Sequence, residues 1–221
     1  MFSSGQIDQF KRLCSSFGLD LSSSMLEQFE TYASLLLDWN NRIHLVSKGD
    51  AKSDRILRHF VDSLSIFKTV DIPQGAKLLD LGAGAGFPSI PVKIVRDDIR
   101  PVLVESIHKK ALFLQKLCQV LELENVRVVN QRAEELQAET GLLASFDLVT
   151  AKALGKLSDI ASLSAPFMKI GGLLVCYKGP TATSETSKAK LPPGLRIQDV
   201  VKTAIPEMDL VRWLVVVHRV S

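Results

Sequence analysis

The fold of this chain is decided by the stretch Lys77-Leu78-Leu79-Asp80-Leu81-Gly82-Ala83-Gly84-Ala85-Gly86-Phe87-Pro88. Its leucines form a short apolar run that predicts a buried strand. Three glycines at alternate positions then predict a tight turn, and Pro88 fits the first turn of a helix, where a missing N–H costs nothing. A strand, a glycine turn and a helix start together form a geometry in which backbone N–H groups face a ligand.

The spacing of the glycines separates this turn from other nucleotide-binding loops. A dinucleotide fingerprint has the form G-x-G-x-x-G, whereas Phe87 occupies the position of the third glycine here. A P-loop is excluded because no Gly-Lys-Ser/Thr follows. Asp80 places a negative charge where a pyrophosphate would lie, which favours a ligand with a positive charge, such as an amino-acid ammonium or a sulfonium. A tight turn that only packs the strand against the helix is the structural alternative.

Length and composition limit the class of protein. The chain has 221 residues, enough for one large domain or one domain with an appendage. No apolar run approaches the ~18 residues of a membrane span, so we expect no membrane attachment. A net charge of +3 permits an RNA partner without requiring one. The three cysteines are far apart and form no metal-ligand spacing, so we expect buried thiols, no metal, a cytoplasmic location and a monomer.

The first part of the chain has a helical pattern. Apolar residues at helical spacing predict a helix over 6–17, a second that begins with a capping box at Ser24, and a third over about 53–68. This part contains no clear strand. We therefore predict a helical cap over residues 1–72, packed against a second domain over residues 73–221.

From residue 77 onward, apolar runs alternate with amphipathic stretches, which predicts an α/β fold with a parallel sheet. The predicted strands are 77–81, 101–105, 126–129, 146–150, 173–176, 195–203 and 211–219. We expect the last two to pair as a hairpin and to complete a mostly parallel, seven-stranded sheet. A helix is predicted at 157–168, and a mobile loop or short helix at 181–190.

Candidate site residues follow from the sheet, because ligands of open α/β sheets bind beyond the carboxyl ends of the strands. Glu105 ends the second strand, where a carboxylate can accept both hydroxyls of an adenosine ribose. Ala133 and Glu134 follow the third strand, where an adenine would lie. Lys152 follows the fourth strand and Lys178 the fifth. The predicted cleft is therefore acidic toward a cofactor and basic toward an anionic polymer, and S-adenosylmethionine fits this description of the cofactor.

A second basic region lies in the predicted cap. It comprises Arg42, His44, Lys48, Lys52, Arg55, Arg58 and His59. A solvated helix face and a contact surface for phosphates explain this charge equally well. Asp62 lies three residues after His59 on the same helical face, so we expect these two side chains to form a structural hydrogen bond.

Several motifs resemble those of the RsmG (GidB) family of bacterial rRNA methyltransferases. The motifs are Asp80–Pro91, Trp39–Leu45, Arg58–Leu64, Phe113-Leu114, Arg132-Ala133-Glu134 and Lys178-Gly179. The resemblance runs from about residue 25 to the C-terminus, with the motifs in the family's order. The family has a Ser-Arg-Ala triplet after its fourth strand, and Ala151-Lys152-Ala153 matches it here. Lysine keeps the charge but lacks the planar guanidinium fork.

The resemblance implies a class I S-adenosylmethionine-dependent methyltransferase fold, Rossmann-like, with an N-terminal helical cap. It implies methyl transfer to N7 of a guanosine in 16S rRNA of the small ribosomal subunit. Because N7 has a free lone pair and no proton, we expect no catalytic base. The expected cofactor-binding residues are Asp80, Gly82, Gly84, Gly86, Phe87, Glu105, Ala133, Glu134 and Lys152. The expected RNA contacts are Arg42, Lys48, Arg55, Arg58, Lys156 and Lys178.

Three other functions stay open at this point. One is a methyltransferase that acts on a small molecule or a protein. Another is a catalytically silent methyltransferase fold that binds RNA or assists ribosome assembly; the intact glycine turn, Asp80 and Glu105 argue against it. The third is a dehydrogenase, which Phe87 disfavours.

Overall fold

The computed structural model describes residues 2–221, apart from the side chains of residues 53 and 54. Within that range the N-terminal part is helical and the remainder alternates strands with helices. The helices are α1 (Ser4–Ser15), α2 (Ser23–Asn40), α3 (Ser53–Leu64), α4 (Ser89–Val95), α5 (His108–Val120), α6 (Leu157–Ser164) and α7 (Ala182–Thr186). The strands are β1 (Lys77–Leu81), β2 (Arg100–Val104), β3 (Arg127–Val129), β4 (Phe146–Lys152), β5 (Met168–Lys178), β6 (Leu195–Ile205) and β7 (Leu210–Arg219).

All the strands belong to one seven-stranded sheet in the order β3-β2-β1-β4-β5-β7-β6. β1 pairs in parallel with β2 on one side and with β4 on the other. β7 is antiparallel to both of its neighbours, and it forms the expected hairpin with β6. The mostly parallel, seven-stranded sheet is thus confirmed. Since the chain moves outward from β1 to β3 and then returns to the other side of β1, the topological switch point lies between β1 and β4.

The helical N-terminal part packs on one face of the sheet through aromatic side chains. Phe10, Phe29, Tyr32 and Phe60 are fully buried, and the Phe29 and Phe60 ring centroids lie 4.8 Å apart. The same hydrophobic cluster includes Ile90 of α4 and many other side chains of both parts. Each such side chain contributes roughly 1.5–3 kcal/mol through burial. The boundary between residues 72 and 73 stays a prediction, and residue 1 of the predicted cap lies outside the described residues.

The start of α2 differs from the sequence-based prediction. The helix begins at Ser23, and the hydroxyl of Ser22 accepts the hydrogen bond from the Met25 N–H, so the predicted capping box at Ser24 is wrong. Three consecutive serines made the N-cap position ambiguous, since each can accept such a bond. A capping box does occur at the start of α1, between Ser3 and Gln6.

The predictions were also wrong about the boundary between α6 and β5. α6 ends at Ser164 instead of 168, and β5 extends from Met168 instead of 173. The reason is Gly172, whose position would bring a Cβ within 2.9 Å of the carbonyl oxygens of Lys169 and Phe146. The pairing of β4 with β5 shifts register there, and glycines of this kind mark β-bulges that a propensity argument mistakes for a strand end.

Candidate functional site

A pocket of about 400 Å³ opens at the carboxyl ends of β1, β2 and β4, beside the switch point. We call it the glycine pocket. Its walls include the turn Gly82–Ala85 with Phe87, together with Glu105, Lys152 and Leu154. The loop between α2 and α3 (45–47 and Asp50) and His59 of α3 form the remaining wall. The pocket therefore lies where the strand-end argument placed it, and the helical part supplies a wall that the argument did not include.

The glycines of the turn have different roles. All three have positive φ angles, +71° at Gly82, +56° at Gly84 and +96° at Gly86. A Cβ on Gly84 would meet no atom closer than 3.8 Å, so this glycine faces open space. A Cβ on Gly86 would lie 2.8 Å from the Tyr32 hydroxyl and 2.9 Å from Ile90. Gly86 thus allows close packing against the helical part. Its predicted role in cofactor binding required it to line the glycine pocket, and it does not.

Glu105 holds the glycine turn from the neighbouring strand end. One carboxylate oxygen accepts the Gly84 N–H at 2.9 Å, and the other accepts the Ile107 N–H at 2.7 Å. A carboxylate oxygen can accept more than one hydrogen bond, so both oxygens keep capacity for a ligand. Glu105 therefore lies in the pocket as predicted and also fixes the shape of the turn.

Asp80 does not face the pocket, contrary to the prediction that its charge meets the ligand. Its side chain is fully buried in β1, where the Thr150 hydroxyl donates to Oδ1 at 3.0 Å. Burial raises the pKa of Asp80 to about 7, so the side chain is a poor source of negative charge at neutral pH. The sequence could not reveal which way Asp80 points, because a strand that is buried on both faces shows no alternation of apolar and polar residues.

We predict that Asp80→Asn changes the pH dependence of stability. An acid with a raised pKa contributes stability fully below its unfolded value near 3.8, and this contribution is lost as the pH rises to about 7. The loss is at most about 4 kcal/mol. Denaturant unfolding at pH 5 and pH 8 measures the part of this loss above pH 5, about 3 kcal/mol at most, which the wild type should lose relative to Asp80→Asn. Equal pH dependence in the two proteins would contradict the burial argument.

A buried cluster of charges closes the pocket on the side of α3. Asp62 of α3 is 1% exposed, and Arg212 of β7 donates to both of its oxygens at 2.9 Å. Lys152 of β4 forms a 2.8 Å ion pair with the same carboxylate. Burial acts against ionisation of Asp62, but contact with Lys152 and Arg212 outweighs burial and lowers its pKa. The expected bond between His59 and Asp62 is wrong, since Asp62 pairs with these two cations instead.

Lys152 and His59 share the Phe87 end of the pocket. The Lys152 ammonium lies 5.2 Å from the Phe87 ring centroid, and the His59 ring stacks on Phe87 at 5.1 Å. Burial and the neighbouring ammonium lower the pKa of His59 to about 4, so the imidazole is neutral at physiological pH. Among the described residues, neither His59 Nε2 nor, beyond its ion pair, Lys152 Nζ has a hydrogen-bond partner. Two buried nitrogen atoms therefore lie near the Phe87 ring: His59 Nε2, 3.9 Å from Asp50, and Lys152 Nζ, held by its ion pair with Asp62.

Ala133 and Glu134 lie in a smaller neighbouring hollow of about 170 Å³. It shares Gly82, Ser106 and Leu154 with the glycine pocket. The Leu154 side chain separates the two spaces, because its Cδ1 lies only 2.7 Å from where a Gly82 Cβ would be. The predicted adenine residues are therefore adjacent to the glycine pocket, with a flexible leucine between them.

The residues predicted to contact RNA do not line one common cavity. Arg42, Lys48 and Lys156 are exposed, and Arg42 lies 3.7 Å from Asp38. Arg55 and Arg58 border a separate hollow of about 300 Å³ between α1, α3 and the β6–β7 turn.

The prediction for Lys178 is contradicted by its environment. Its side chain is only 10% exposed, and its ammonium donates to Glu185 at 2.9 Å and to the carbonyl of Gly155. These bonds join α7 and the loop before α6 to the end of β5, so Lys178 has a structural role. The rule that site residues follow strand ends correctly predicted where Lys178 lies. It did not predict that the side chain is largely buried.

No metal site and no reactive thiol is present in the described range. With the side chains of residues 53 and 54 left aside, residues 2–221 contain no group of three or more His, Cys, Asp or Glu side chains able to hold a metal ion. Cys14, Cys118 and Cys176 are free, and burial raises the pKa of each thiol, to about 12 at Cys14. Over the same range, no helix is long and apolar enough to cross a membrane.

Comparison with known proteins identifies relatives along nearly the whole chain. Residues 25–210 match the family model described as rRNA small subunit methyltransferase G. A ribosomal RNA small subunit methyltransferase G of Lachnoclostridium phytofermentans is 36% identical over 209 residues, which cover 93% of this chain and 86% of the relative. The protein of the same description from Streptococcus pneumoniae strain R6 is 36% identical, with 96% of this chain and 90% of the relative covered.

Solved structures with the same fold are more distant in sequence. A predicted O-methyltransferase from Agrobacterium tumefaciens aligns with a TM-score of 0.56 at 23% identity, over 69% of this chain and 77% of that chain. A SAM-dependent methyltransferase from Aquifex aeolicus aligns with a TM-score of 0.53 at 17% identity, over 71% of this chain and 88% of that chain. The expected class I, Rossmann-like methyltransferase fold is therefore confirmed.

Proposed function

The chain belongs to the rRNA small subunit methyltransferase G family, and on this basis we propose that it transfers a methyl group from S-adenosylmethionine to N7 of a guanosine in 16S rRNA. The observation that carries the proposal is the glycine pocket at the switch point, with the turn, Glu105 and Lys152 around one cavity. Phe87, in the position of the third glycine of a dinucleotide fingerprint, argues against the dehydrogenase alternative.

The residues of the pocket suit S-adenosylmethionine. The space in front of Gly84 is open, so a ligand can approach the turn closely. Glu105 lies at the end of β2 with free acceptor capacity for ribose hydroxyls. Ala133 and Glu134 border the adjacent hollow, where an adenine would enter once Leu154 turns aside. We assign these residues, with Gly82, Phe87 and Lys152, to cofactor binding, whereas Gly86 and Asp80 lie outside the pocket lining.

When bound, S-adenosylmethionine would supply a methyl group on a positively charged sulfur, which the N7 lone pair could accept as the S–C bond breaks and its electrons stay on sulfur. The base becomes cationic and no proton moves. The task of the protein is therefore orientation, which can contribute up to ~7–11 kcal/mol to lowering a barrier. The turn, fixed by Glu105, holds the methyl donor, and the open side of the pocket receives the base.

We assign substrate guidance to the helical part, residues 1–72. It forms one wall of the pocket, and a polynucleotide would reach the cavity alongside this wall. His59 and Asp50 come from this part, and Arg55 and Arg58 lie on the same helix as His59. Arg42, Lys48 and Lys156 are exposed cations that could add phosphate contacts. We further propose that the protein acts in the cytoplasm, where its rRNA substrate is found, and as a monomer.

We predict that replacing Arg55 and Arg58 together by alanine weakens binding to small-subunit rRNA. Each lost phosphate contact reduces the slope of log K against log salt by about 0.7–0.9, so the pair should reduce it by about 1.4 to 1.8. Filter binding between 50 and 300 mM KCl gives the slope. Arg100 and Arg196, exposed at the amino ends of β2 and β6, provide a control pair that should leave it unchanged. Equal slopes for both double variants would place the RNA elsewhere.

The proposed function is tested by mapping methylated nucleosides in 16S rRNA from cells with and without the gene. Loss of one 7-methylguanosine, restored by the wild-type gene, is expected. An unchanged set of modifications would favour a small-molecule or protein substrate. If the protein is instead a silent binding module, calorimetric titration with S-adenosylmethionine will give no heat.

A further inference from the structure

A hollow of about 300 Å³ lies apart from the glycine pocket, where three distant parts of the chain meet. Its walls come from α1, from α3 and from the turn 206–209 between β6 and β7, and we call it the hairpin hollow. The polar side chains that line it are Gln6, Gln9, Arg55, Arg58, Glu207 and Asp209. It therefore combines two cations, two acids and two amides around one space.

Contacts within the folded chain fix the position of the turn that closes the hairpin hollow. Gln9 Nε2 of α1 lies 3.5 Å from the Glu207 carbonyl oxygen, and Arg12 lies 3.5 Å from the Glu207 carboxylate. β7 follows the turn directly, and its Arg212 donates twice to Asp62 of α3 at 2.9 Å. The turn is thus tied to both helices, so the hollow is formed without a ligand.

The mixture of charges limits what the hairpin hollow can bind. Arg55 and Arg58 attract an anion, but a simple anion such as free phosphate would also meet Glu207 and Asp209, which repel it. A simple cation would be repelled by the two arginines in the same way. A ligand that carries a negative group and, beside it, hydrogen-bond donors satisfies both sets of side chains. A nucleotide has this combination, in its phosphate and in the amino group of its base.

The size and the remaining lining of the hairpin hollow suit a single base. About 300 Å³ is at the lower end of the range of ligand pockets, roughly 300–1,000 Å³. Leu57 and Met208 add apolar surface, and the amides of Gln6 and Gln9 can both donate and accept at the edge of a ring. RNA is read mainly at bases that have left the helical stack, which are single rings of this kind.

The hairpin hollow and the glycine pocket lie close together along α3. Arg55 lines the hollow, and His59 lines the glycine pocket. These residues are four positions apart, so they lie on the same side of the helix, about 6 Å from each other along its axis. Neighbouring nucleotides of an extended strand can span such a separation. A strand that delivers one base to the glycine pocket therefore brings an adjacent base to the hollow.

We propose that the hairpin hollow binds the base of a nucleotide next to the target guanosine through Glu207 and Asp209, while Arg55 and Arg58 hold its phosphate. The inference rests on the proposed methylation of 16S rRNA. Carboxylates accept from the amino groups of bases, and cytosine N4 is such a donor. Uracil has a carbonyl oxygen at the same position, so two acceptors would face each other. The hollow thus favours a target guanosine beside a base with an amino group over one beside uridine.

The experiment compares two neighbouring bases in the same particle. Small subunits from cells that lack the gene carry cytidine or uridine at the position immediately before or immediately after the target guanosine. At one of these positions the wild type should methylate the uridine subunit about 10-fold less efficiently in kcat/KM. Filter binding of the same subunits gives a readout that does not depend on turnover.

Replacing Glu207 by Gln together with Asp209 by Asn tests the role of the carboxylates. An amide can donate to uracil as well as accept from cytosine, so this double variant should treat the two subunits alike. Asparagine tolerates the left-handed conformation at position 209, where φ is +47°, so the turn should keep its shape. The slope of log K against log salt should stay at the wild-type value, because Arg55 and Arg58 remain.

A second variant blocks the hairpin hollow. Gln9 is half-buried in its wall, and Gln9→Trp should lower kcat/KM with the cytidine subunit to the uridine level, with no further loss for uridine. Gln74→Trp, on an exposed turn before β1, is the matched control and should keep the wild-type preference. Affinity for S-adenosylmethionine should be equal in all of these proteins, since the hollow and the glycine pocket share no lining residue.

Three results would overturn the inference. The first is a wild type that treats cytidine and uridine alike at both positions. The second is a Glu207→Gln, Asp209→Asn protein that keeps the wild-type preference. The third is an equal loss of binding for both subunits in Gln9→Trp, which would make the hollow a contact for a ribosomal protein. A wild type that forms no 7-methylguanosine in any subunit would instead refute the proposed function, and the inference with it.

Discussion

Asp62→Ala is expected to destabilise the protein by about 3–5 kcal/mol, because it leaves two buried cations without their carboxylate. Asp62 is 1% exposed and joins α3 to Lys152 of β4 and Arg212 of β7. Urea unfolding at pH 7 measures the loss. Since the pKa of Asp62 is lowered in the folded state, its contribution is present above pH ~4 and is lost as the pH falls through that lowered value.

A surface ion pair provides the comparison for this prediction. Glu139 accepts from Arg127 at 2.7 Å, with half-exposed side chains, and Glu139→Ala should cost no more than about 1 kcal/mol. A triple variant with apolar residues at 62, 152 and 212 should be far more stable than Asp62→Ala, because no charge is then buried alone. If Asp62→Ala and Glu139→Ala have similar effects, the charge cluster does not hold the helical part in place.

Gly84→Val is expected to abolish binding of S-adenosylmethionine. The residue has φ +56° and faces open pocket space, so a valine side chain would occupy the volume assigned to the ligand. We expect at least about a 100-fold loss of affinity, measured by calorimetry. The left-handed backbone conformation also costs roughly 1–2 kcal/mol with any bulky side chain, so stability must be measured in parallel.

Gly18→Val separates backbone strain from blocked binding. Gly18 has φ +75°, and a Cβ added there would meet no atom within 4 Å. It lies after α1, outside the pocket. Both variants should lose similar stability, but only Gly84→Val should lose the ligand. Wild-type affinity in Gly84→Val would mean that the turn does not face the cofactor.

The sheet was predictable because its signals are local. Apolar runs and turn residues located all seven strands, and the strand-end rule then located Gly82, Gly84, Glu105 and Lys152 at one cavity. The predicted ends of helices and strands were wrong where one residue type can have two structural roles. The fifth strand was predicted to begin at 173, just after Gly172, although Gly172 lies at a bulge inside β5, and Ser22 rather than Ser24 caps α2.

The contacts around the site were not predictable, because they join residues distant in sequence. Arg212 lies 150 positions from Asp62, and no local pattern distinguishes it from other strand arginines. The contact of the buried Asp80 with Thr150 likewise joins residues 70 positions apart. Asp62 was visible only as a member of a motif and as a helical neighbour of His59.

The central claim is that the glycine pocket joins a methyl donor to a guanosine of small-subunit rRNA. Its most direct test uses purified protein, S-adenosylmethionine with a labelled methyl group, and small subunits from cells that lack the gene. Nuclease digestion and mass spectrometry then identify the labelled nucleoside. The account predicts one 7-methylguanosine per subunit in 16S rRNA, and none with Gly84→Val. Label in another nucleoside, or none in rRNA with a protein that binds the donor, would contradict it.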